Sequence, residues 1–254
     1  MKHPSNIIIT GASSGIGKAL AIEYSQHCKN LLLLGRDKER LENVKNLCSK
    51  TCNILTEILD VTNAKEIDKI TNNFDQDFPI DLMIANAGIS AGTGSKGEDI
   101  NQLKEIYNTN IYGVINSIYP AINKMTTRRK GQIAIMSSMS AFMPIPTAPA
   151  YSSSKQCISF LGLALRQNLA KNNIKLSVIY PGFIKTPMTD TNKFSMPFIM
   201  SAEKAAQKII KNISKNKSRI IFPKSFYFIT LIVNILPFSI KQYLFNKTPA
   251  KDNL

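Results

Sequence analysis

The sequence predicts an α/β fold with a doubly wound parallel sheet, and two patterns carry this prediction. Short apolar runs, typical of strands that are covered on both faces, alternate with helical segments six times along the 254 residues. Glycine, proline or a hydroxyl residue follows most of these runs, at the edge where such a sheet opens a crevice. We therefore expect one large domain whose binding site lies at the carboxyl ends of its strands.

The composition is that of an ordinary globular protein, with 44% hydrophobic and 19% charged residues. The formal net charge of +15 could attract nucleic acid or anionic lipid, and it would favour an anionic cofactor. The basic residues are scattered, however, and no nucleic-acid-binding module is recognisable. We therefore expect no nucleic acid partner.

The cysteines, Cys28, Cys48, Cys52 and Cys157, show neither paired C-x-x-C nor histidine-rich spacing. This pattern predicts no metal site and no disulfide framework. The apolar run near the amino terminus is too short for a signal peptide. Together these features predict reduced thiols in a cytoplasmic protein.

The first apolar run, 6–10, is followed by a glycine-rich turn and by a helical segment that reaches about Cys28. This arrangement can cradle a pyrophosphate, because glycines let the backbone approach and the helix amino end offers unpaired N–H groups. The spacing is G-x-x-x-G-x-G rather than G-x-G-x-x-G, so a tight structural loop stays open as an alternative. The turn consists of Gly11, Ala12, Ser13, Ser14, Gly15, Ile16 and Gly17.

The second apolar run, 31–34, ends in Gly35, Arg36 and Asp37, where the adenosine ribose of a dinucleotide would lie. An acid directly at the strand end would accept a 2′-hydroxyl, whereas a glycine followed by an arginine suits a 2′-phosphate. The pattern favours NADP(H), with NAD(H) as the alternative cofactor. The competing interpretation is that Arg36 pairs with the helix start at 37–40.

The third strand, 53–59, closes with Asp60, Val61 and Thr62. Asp60 could accept a hydrogen bond from an adenine amino group, or it could cap the following helix.

The next strand, 80–85, is followed by the small residues Asn86, Ala87 and Gly88. These would leave room for a cofactor lying across the sheet. The loop 90–98 is rich in glycine and serine, and we expect it to be mobile and near the mouth of the site.

A long helix is predicted over 102–127, with Asn110 in its middle. A buried amide is costly unless its hydrogen-bonding groups are used. Asn110 could hold a water linked to Lys155, or it could bond to its own helix backbone.

The stretch from Ser138 to Lys155 carries the strongest chemical signal. Ser138 lies at the carboxyl end of a buried strand predicted over 131–138, and three prolines then force a loop. A helix over 150–171 places Tyr151 and Lys155 on one face, because they are four residues apart. A free phenol has a pKa of about 10, so a shift of roughly 3 units is needed to bring it near neutrality. A neighbouring ammonium and a cationic cofactor ring could supply it. The alternative is a half-buried aromatic beside a solvated lysine.

The rest of the chain continues the alternation. A strand over 175–180 ends in Pro181-Gly182-Phe183-Ile184-Lys185-Thr186, a helix begins at about Ala202, and a strand follows at 219–222.

The tail is strongly apolar from 226 to 236, and then Pro237, Lys241 and Lys247 follow. The run is shorter than the roughly 20 residues that span a bilayer. It could close over the substrate pocket or a dimer partner, lie in a membrane interface across 226–247, or pack on the core. The first and third interpretations are preferred.

Taken together, the pieces between about Asn6 and Phe222 resemble the short-chain dehydrogenase/reductase family. The resemblance is carried by the Thr10 glycine turn, Asn86-Ala87-Gly88, Asn110, Ser138 thirteen positions before Tyr151, Lys155, and Pro181-Gly182 with Thr186. The sequence departs from the family at Ala85, where a second asparagine is often present, and at Ser14, where NADP-preferring members sometimes have a basic residue.

The resemblance implies an NAD(P)-dependent oxidoreductase with a Rossmann fold that acts on a carbonyl or secondary alcohol. Tyr151 would be the general acid/base, Ser138 would orient the substrate oxygen, Lys155 would bind the nicotinamide ribose and lower the tyrosine pKa, and Asn110 would support a proton relay. The cofactor would contact Gly11, Ser13, Ser14, Gly15, Ile16, Gly17, Arg36, Asp60, Val61, Asn86, Ala87, Gly88, Tyr151, Lys155, Pro181, Gly182, Ile184 and Thr186, with Ile184 and Thr186 near the carboxamide.

The resemblance also implies a homodimer or homotetramer and a variable substrate lid over 187–200. We expect residues 1–222 to form the catalytic unit and 223–254 to extend the same domain. Two other functions stay open: a dinucleotide-binding sensor or scaffold without turnover, and a membrane-peripheral reductase of lipid-like ketones.

Overall fold

The computed structural model describes residues 4–92, 97–190 and 196–245. Its strands are β1 Asn6–Thr10, β2 Asn30–Gly35, β3 Asn53–Ile58, β4 Leu82–Ala85, β5 Gly131–Met136, β6 Ile174–Pro181, β7 Ile184–Lys185, β8 Met200–Ser201 and β9 Arg219–Phe222. Seven of them form one sheet in the order β3-β2-β1-β4-β5-β6-β9, with every neighbouring pair parallel. This confirms the predicted doubly wound parallel sheet.

Helices cover both faces of this sheet. They are α1 Gly15–Ser25, α2 Lys38–Leu47, α3 Ala64–Asp77, α4 Ile100–Tyr107, α5 Gly113–Arg128, α6 Pro149–Ala170, α7 Pro187–Asp190, α8 Ala202–Ser214, α9 Lys224–Ile235 and α10 Phe238–Phe245.

The central strands form because their apolar side chains are buried on both faces. In β1, Ile7 and Ile9 pack in the core layer that includes residues of α1 and α8, whereas Ile8 packs with residues of α3, α5 and α6. All three isoleucines are fully buried. Each such side chain contributes about 1.5–3 kcal/mol of burial free energy, so a central strand of this kind tolerates no polar face.

Several helices begin at side chains that accept a hydrogen bond from the first turn. Asp37 caps α2, Asn63 caps α3, Asp99 caps α4 and Ser201 caps α8. Each cap satisfies a backbone N–H that has no partner within its helix. The chain direction at these strand-to-helix turns is therefore fixed.

The strand order changes direction between β1 and β4, so the crevice opens between their carboxyl ends. Both ends are tied together by Thr10, whose hydroxyl oxygen accepts the N–H groups of Asn86 and Ala87 at 3.1 Å each. The floor of the crevice is thus set by hydrogen bonds between two neighbouring strands.

The predicted single helix over 102–127 is wrong in its middle. The chain forms α4, then a π-helical turn at Asn108–Tyr112, then α5. A π turn contains one extra residue per turn and is common at functional sites. Here it contains Asn110, whose side chain bonds outside its own helix.

Among the described residues, no helix is long and apolar enough to cross a membrane. The apolar tail instead forms α9 and α10, separated near Pro237.

Candidate active site

A cavity of about 560 Å³ opens at the carboxyl ends of the strands. It extends from Arg36 and Asp60 at one end, past the glycine turn, to Tyr151 and Lys155 at the other. Of the residues predicted for the site, those that line the cavity are Gly11, Ser13, Ser14, Gly15, Ile16, Arg36, Asp60, Val61, Asn86, Ala87, Gly88, Ser138, Tyr151, Lys155, Pro181, Gly182, Ile184 and Thr186. Gly17 and Asn110 are not part of its lining.

The glycine turn is shaped by close backbone approach. Gly11 and Gly15 have φ of +62° and +54°, which side chains rarely adopt. Gly17 lies behind the turn, where a Cβ atom would be 2.1 Å from the carbonyl oxygen of Gly11. The Asn86 side chain donates to the carbonyl oxygens of Thr10 and Gly11, at 3.1 and 3.0 Å.

The amino end of α1 faces this turn without a side-chain cap, since the Ser14 hydroxyl makes no capping hydrogen bond. Exposed N–H groups and the helix dipole together suit a phosphate. The turn therefore fits the pyrophosphate of a dinucleotide.

At the adenosine end, Arg36 approaches Asp60 rather than the start of α2. The Arg36 Nη1 and Asp60 Oδ2 atoms are 3.7 Å apart, and it is Arg40 that pairs with Asp37. The alternative in which Arg36 neutralises the helix start is therefore wrong. Its side chain stays 62% exposed, and its guanidinium is available to an anion in the cavity.

Asp60 does not cap α3, because Asn63 does so. Instead its carboxylate accepts the N–H and the hydroxyl of Thr62 at 2.9 and 2.8 Å. Burial acts to raise the pKa of Asp60, but these hydrogen bonds and the Arg36 charge outweigh it and hold the pKa below its usual value. Asp60 is therefore ionised, with its remaining oxygen toward Arg36.

At the other end, Lys155 is almost completely buried. Its Nζ donates to the carbonyl oxygen of Met136 at 3.2 Å and lies 5.8 Å from the centre of the Tyr151 ring. Burial lowers the pKa of Lys155 to about 8. The helix is held to β5 because the Ser137 hydroxyl donates to the carbonyl oxygen of Lys155 at 2.9 Å.

Tyr151 is half-buried beside Ser138. Burial raises the pKa of the phenol, and the nearby hydroxyl groups of Ser138, then of Ser140, oppose the rise. The pKa of Tyr151 thus lies above its ordinary value, in contrast to the lowering expected beside an ammonium. In the protein alone, the group is held as a neutral phenol.

Asn110 is fully buried behind Gly88. Its Oδ1 accepts the N–H of Ile89 at 2.9 Å, and its Nδ2 donates to the Ile89 carbonyl oxygen at 2.9 Å and to the Ser154 hydroxyl at 3.1 Å. Bonding to its own helix backbone, one of the two predicted alternatives, is therefore wrong. A Cβ atom at Gly88 would lie 3.0 Å from Asn110 Oδ1 and 3.1 Å from Lys155 Nζ, which places both groups against this glycine.

Part of the predicted lid lies outside the described residues, namely 191–195 with Phe194, and the same holds for 93–96 in the loop 90–98. Of the lid, Pro187, Met188 and Thr189 line the cavity. The Thr189 hydroxyl donates to the Ile184 carbonyl oxygen at 2.6 Å, which fixes this end of the segment.

The sequence interpretation missed two polar residues here. Arg40 lines the cavity near Arg36, and the Ser140 hydroxyl lies close enough to Tyr151 to oppose the rise in the pKa of the phenol. Arg40 could have been found from its position one helical turn after Arg36, whereas Ser140 gave no signal beyond its closeness to Ser138 along the chain.

Residues 5–196 match the family described as short chain dehydrogenase. A relative from Arabidopsis thaliana, 11-beta-hydroxysteroid dehydrogenase-like 2, is 31% identical over 249 residues, covering 94% of this chain and 79% of its own length.

Two solved structures are similar as well. ElxO with NADP bound has a TM-score of 0.74 and 27% identity, covering 81% of this chain and 90% of its own. A short-chain dehydrogenase/reductase from Burkholderia phymatum in complex with NAD has a TM-score of 0.84 at 18% identity, covering 100% of this chain and 99% of its own. The second likeness supports the fold.

Proposed function

The chain belongs to the short-chain dehydrogenase/reductase family, and from that premise we propose that it reduces a carbonyl, or oxidises a secondary alcohol, of a small molecule with a nicotinamide dinucleotide. One observation carries the proposal: Ser138, Tyr151 and Lys155 line the same cavity as the glycine turn. A protein that only binds a dinucleotide has no need of these three groups beside it.

Side chains of the protein transfer the proton to and from the substrate oxygen. When bound, the dinucleotide supplies or accepts the hydride at the substrate carbon. In the reductive direction the Tyr151 phenol donates its proton to the substrate oxygen, and the Ser138 hydroxyl holds that oxygen by a hydrogen bond. In the oxidative direction the Tyr151 phenolate takes the proton back.

The electrostatics of the cavity suit the reductive direction. Because burial raises the pKa of Tyr151, the phenol is fully protonated at neutral pH and ready to donate. Because the pKa of Lys155 is about 8, its ammonium persists at neutral pH and stabilises the phenolate that forms. Lys155 would also bind the ribose hydroxyls, and Asn110 would support the path by which Tyr151 regains its proton.

The cofactor that the adenosine end favours is NADP(H). Arg36 presents a largely exposed guanidinium after Gly35, and Arg40 lines the same end, so two positive charges could meet a 2′-phosphate. Both acids that line this end are already engaged, Asp60 by Thr62 and Arg36, and Asp37 by Arg40 and the first turn of α2. NAD(H) remains the alternative, and the substrate specificity rests with the segment 187–200.

We also propose a homodimer or homotetramer that uses α5 and α6. Tyr119 on α5 and Phe160 on α6 are 41% and 70% exposed. Large apolar side chains on two adjacent long helices are typical of surfaces that become covered on association. Residues 1–222 would form the catalytic unit, and 223–254 would extend the same domain.

The test is oxidation of NADPH with a panel of ketones, aldehydes and 3-oxoacyl compounds, run with the wild type and Tyr151→Phe. We expect turnover with at least one substrate and a loss of at least about 100-fold in the variant, since general acid–base catalysis contributes about 10²–10⁴-fold. NADPH binding, followed by its fluorescence, should be retained.

Undiminished turnover in Tyr151→Phe would reject the role of the phenol. Tight NADPH binding by the wild type without turnover of any compound in the panel would instead favour the dinucleotide-binding sensor.

A further inference from the structure

Helix α9 is apolar on both of its faces. Its inner face packs on the domain: the ring centres of Phe226 and Phe183 are 5.9 Å apart, those of Tyr227 and Phe142 are 4.8 Å apart, and Thr230 is buried. The Asn234 side chain donates to the carbonyl oxygen of Phe142. These contacts fix the helix to the body of the protein, so its orientation is set.

The outer face of α9 is exposed and equally apolar. Its side chains are between 41% and 82% exposed, and they are Phe228, Ile229, Leu231, Ile232 and Ile235. Residues 228, 232 and 235 follow the i, i+4, i+7 spacing of one side of a helix. A contiguous apolar face of this kind is uncommon on a soluble monomer and marks an interaction site.

The charge of this part of the chain is strongly one-sided. From Lys204 to Lys251 there are ten lysine or arginine residues and no aspartate or glutamate. Lys224 is exposed in the first turn of α9, and Arg219 is exposed on β9, the edge strand that precedes this helix. The apolar face therefore begins next to positive charges and has no carboxylate on its own helix.

This charge distribution selects the occupant of the face. A second copy of the chain, docked through the same face, would bring like charges together, whereas an anionic lipid surface is complementary. The helix has 12 residues, a length of about 18 Å, against a hydrocarbon thickness of about 30 Å. It can lie in the interface but cannot cross it.

We propose that the outer face of α9 inserts into the headgroup region of an anionic membrane, with Lys224 and Arg219 toward lipid phosphates. The helix contacts the wall of the active-site cavity, because a Cβ atom at Gly182 would lie 3.6 Å from Phe226. Docking would thus bring that side of the cavity close to the lipid. The proposal does not depend on the reaction that the enzyme carries out.

Flotation of the full chain with vesicles tests this. One set is phosphatidylcholine alone, and the other is phosphatidylcholine mixed with phosphatidylglycerol. We expect binding to the mixed vesicles, weaker binding to the neutral ones, and release as NaCl is added.

Two variants separate the apolar and the charged contributions. Ile232→Ser/Ile235→Ser should weaken binding to the mixed vesicles at least about tenfold, because two buried isoleucines are lost from the lipid contact. Lys224→Gln should weaken it about fivefold, and only where anionic lipid is present.

The matched control is Leu47→Ser/Ile58→Ser, since these side chains are 54% and 52% exposed. Ile58 ends β3, the opposite edge strand of the sheet from β9. The control should bind vesicles as the wild type does. NADPH binding and thermal unfolding establish that every variant is folded, and the substituted side chains are exposed, so folding should be retained.

Three results would overturn the proposal: no binding of the full chain to the mixed vesicles, equal binding to both vesicle types at low salt, or equal loss of binding in the control. A dimer in solution that Ile232→Ser/Ile235→Ser dissociates, without vesicle binding by the wild type, would assign the face to a second copy instead.

Discussion

Behind the glycine turn, a Cβ atom on Gly17 would lie 2.1 Å from the Gly11 carbonyl oxygen, whereas at the Tyr151 end of the cavity the Lys155 ammonium is buried with the Met136 carbonyl as its acceptor. The first region is built by steric exclusion, because backbone must approach backbone. The second is built by burying a charge, which costs free energy until a partner arrives. The two regions should therefore respond to substitution in opposite directions, and a third region, the exposed Arg36, should respond least.

The largest effect is expected from Gly17→Ala, which disrupts the close packing behind the glycine turn. The added Cβ would meet the Gly11 carbonyl oxygen at 2.1 Å and Asn86 Nδ2 at 2.6 Å, so the turn must shift. Overpacking of this kind costs about 3 kcal/mol, and we expect a lower free energy of unfolding in urea and a dissociation constant for NADPH about 100-fold higher.

Ser14→Ala is the matched control for this variant. It places an alanine in the same turn, but the Ser14 side chain makes no capping hydrogen bond. Its free energy of unfolding should equal that of the wild type. Equal losses in the two variants would show that the turn tolerates no alanine for reasons other than close approach.

Lys155→Met tests the electrostatic end and should have the opposite sign for stability. The pKa of Lys155 falls from 10.5 to about 8 on folding, so the folded state binds fewer protons between these values and the free energy of unfolding rises with pH there. Below pH 8 the buried ammonium costs about 3 kcal/mol. We expect the variant to unfold at a higher urea concentration than the wild type at pH 7. Its free energy of unfolding should no longer rise between pH 8 and 10.5, and it should turn over substrate at least about 100-fold more slowly.

Lys171→Met, an exposed lysine at the end of the same helix, is the control and should change none of these quantities. A Lys155→Met protein that is less stable than the wild type at pH 7 would show that the hydrogen bond to Met136 outweighs the cost of burial.

Arg36→Ala should have the smallest effect and sharpen the comparison, because this side chain is exposed and screened. Loss of a charge-assisted contact to a 2′-phosphate should raise the dissociation constant for NADPH about 10-fold, with no change for NADH and none in the free energy of unfolding. Fluorescence titration with both dinucleotides measures it, and Arg219→Ala at the far edge of the sheet is the control. An equal rise for NADPH and NADH would remove the proposed preference.

The features that could be predicted from the sequence are those that depend on residues close together along the chain. The fold followed from local patterns, since short runs such as Leu31–Leu34 are apolar throughout, which is typical of strands covered on both faces. The cluster of Ser138, Tyr151 and Lys155 was also within reach, because a strand end and one helical turn define it. These parts needed no knowledge of which distant residues meet.

The features that could not be predicted depend on contacts between residues that are far apart in the sequence. Asn110 bonds to Ile89 and Ser154, which are 21 and 44 residues away, and the π turn that aims it breaks a helix that the local pattern made continuous. The Arg36 partner, Asp60, comes from the neighbouring strand end. Neither the composition nor the spacing of residues in the sequence indicates these contacts.

The same limit applies to the thiols of Cys28 and Cys52, which lie 3.0 Å apart as free cysteines. They follow α1 and precede β3, and they are brought together by the register that pairs Asn30 with Asn53. Their spacing along the chain gave no such indication.

The side chain of Asn110 makes two hydrogen bonds to the backbone of Ile89, one to its N–H and one to its carbonyl oxygen, so the two ends of the amide are not interchangeable. An amide matches an N–H with its oxygen and a carbonyl with its nitrogen, whereas an aspartate of nearly identical shape would set a lone pair against the Ile89 carbonyl. Deamidation of this residue would therefore replace the hydrogen bond to the Ile89 carbonyl oxygen by a repulsive contact, with almost no change in side-chain volume. The side-chain amide of Asn110 makes the hydrogen bonds that a backbone amide would make, so the residue type at this position is determined by polarity rather than by size.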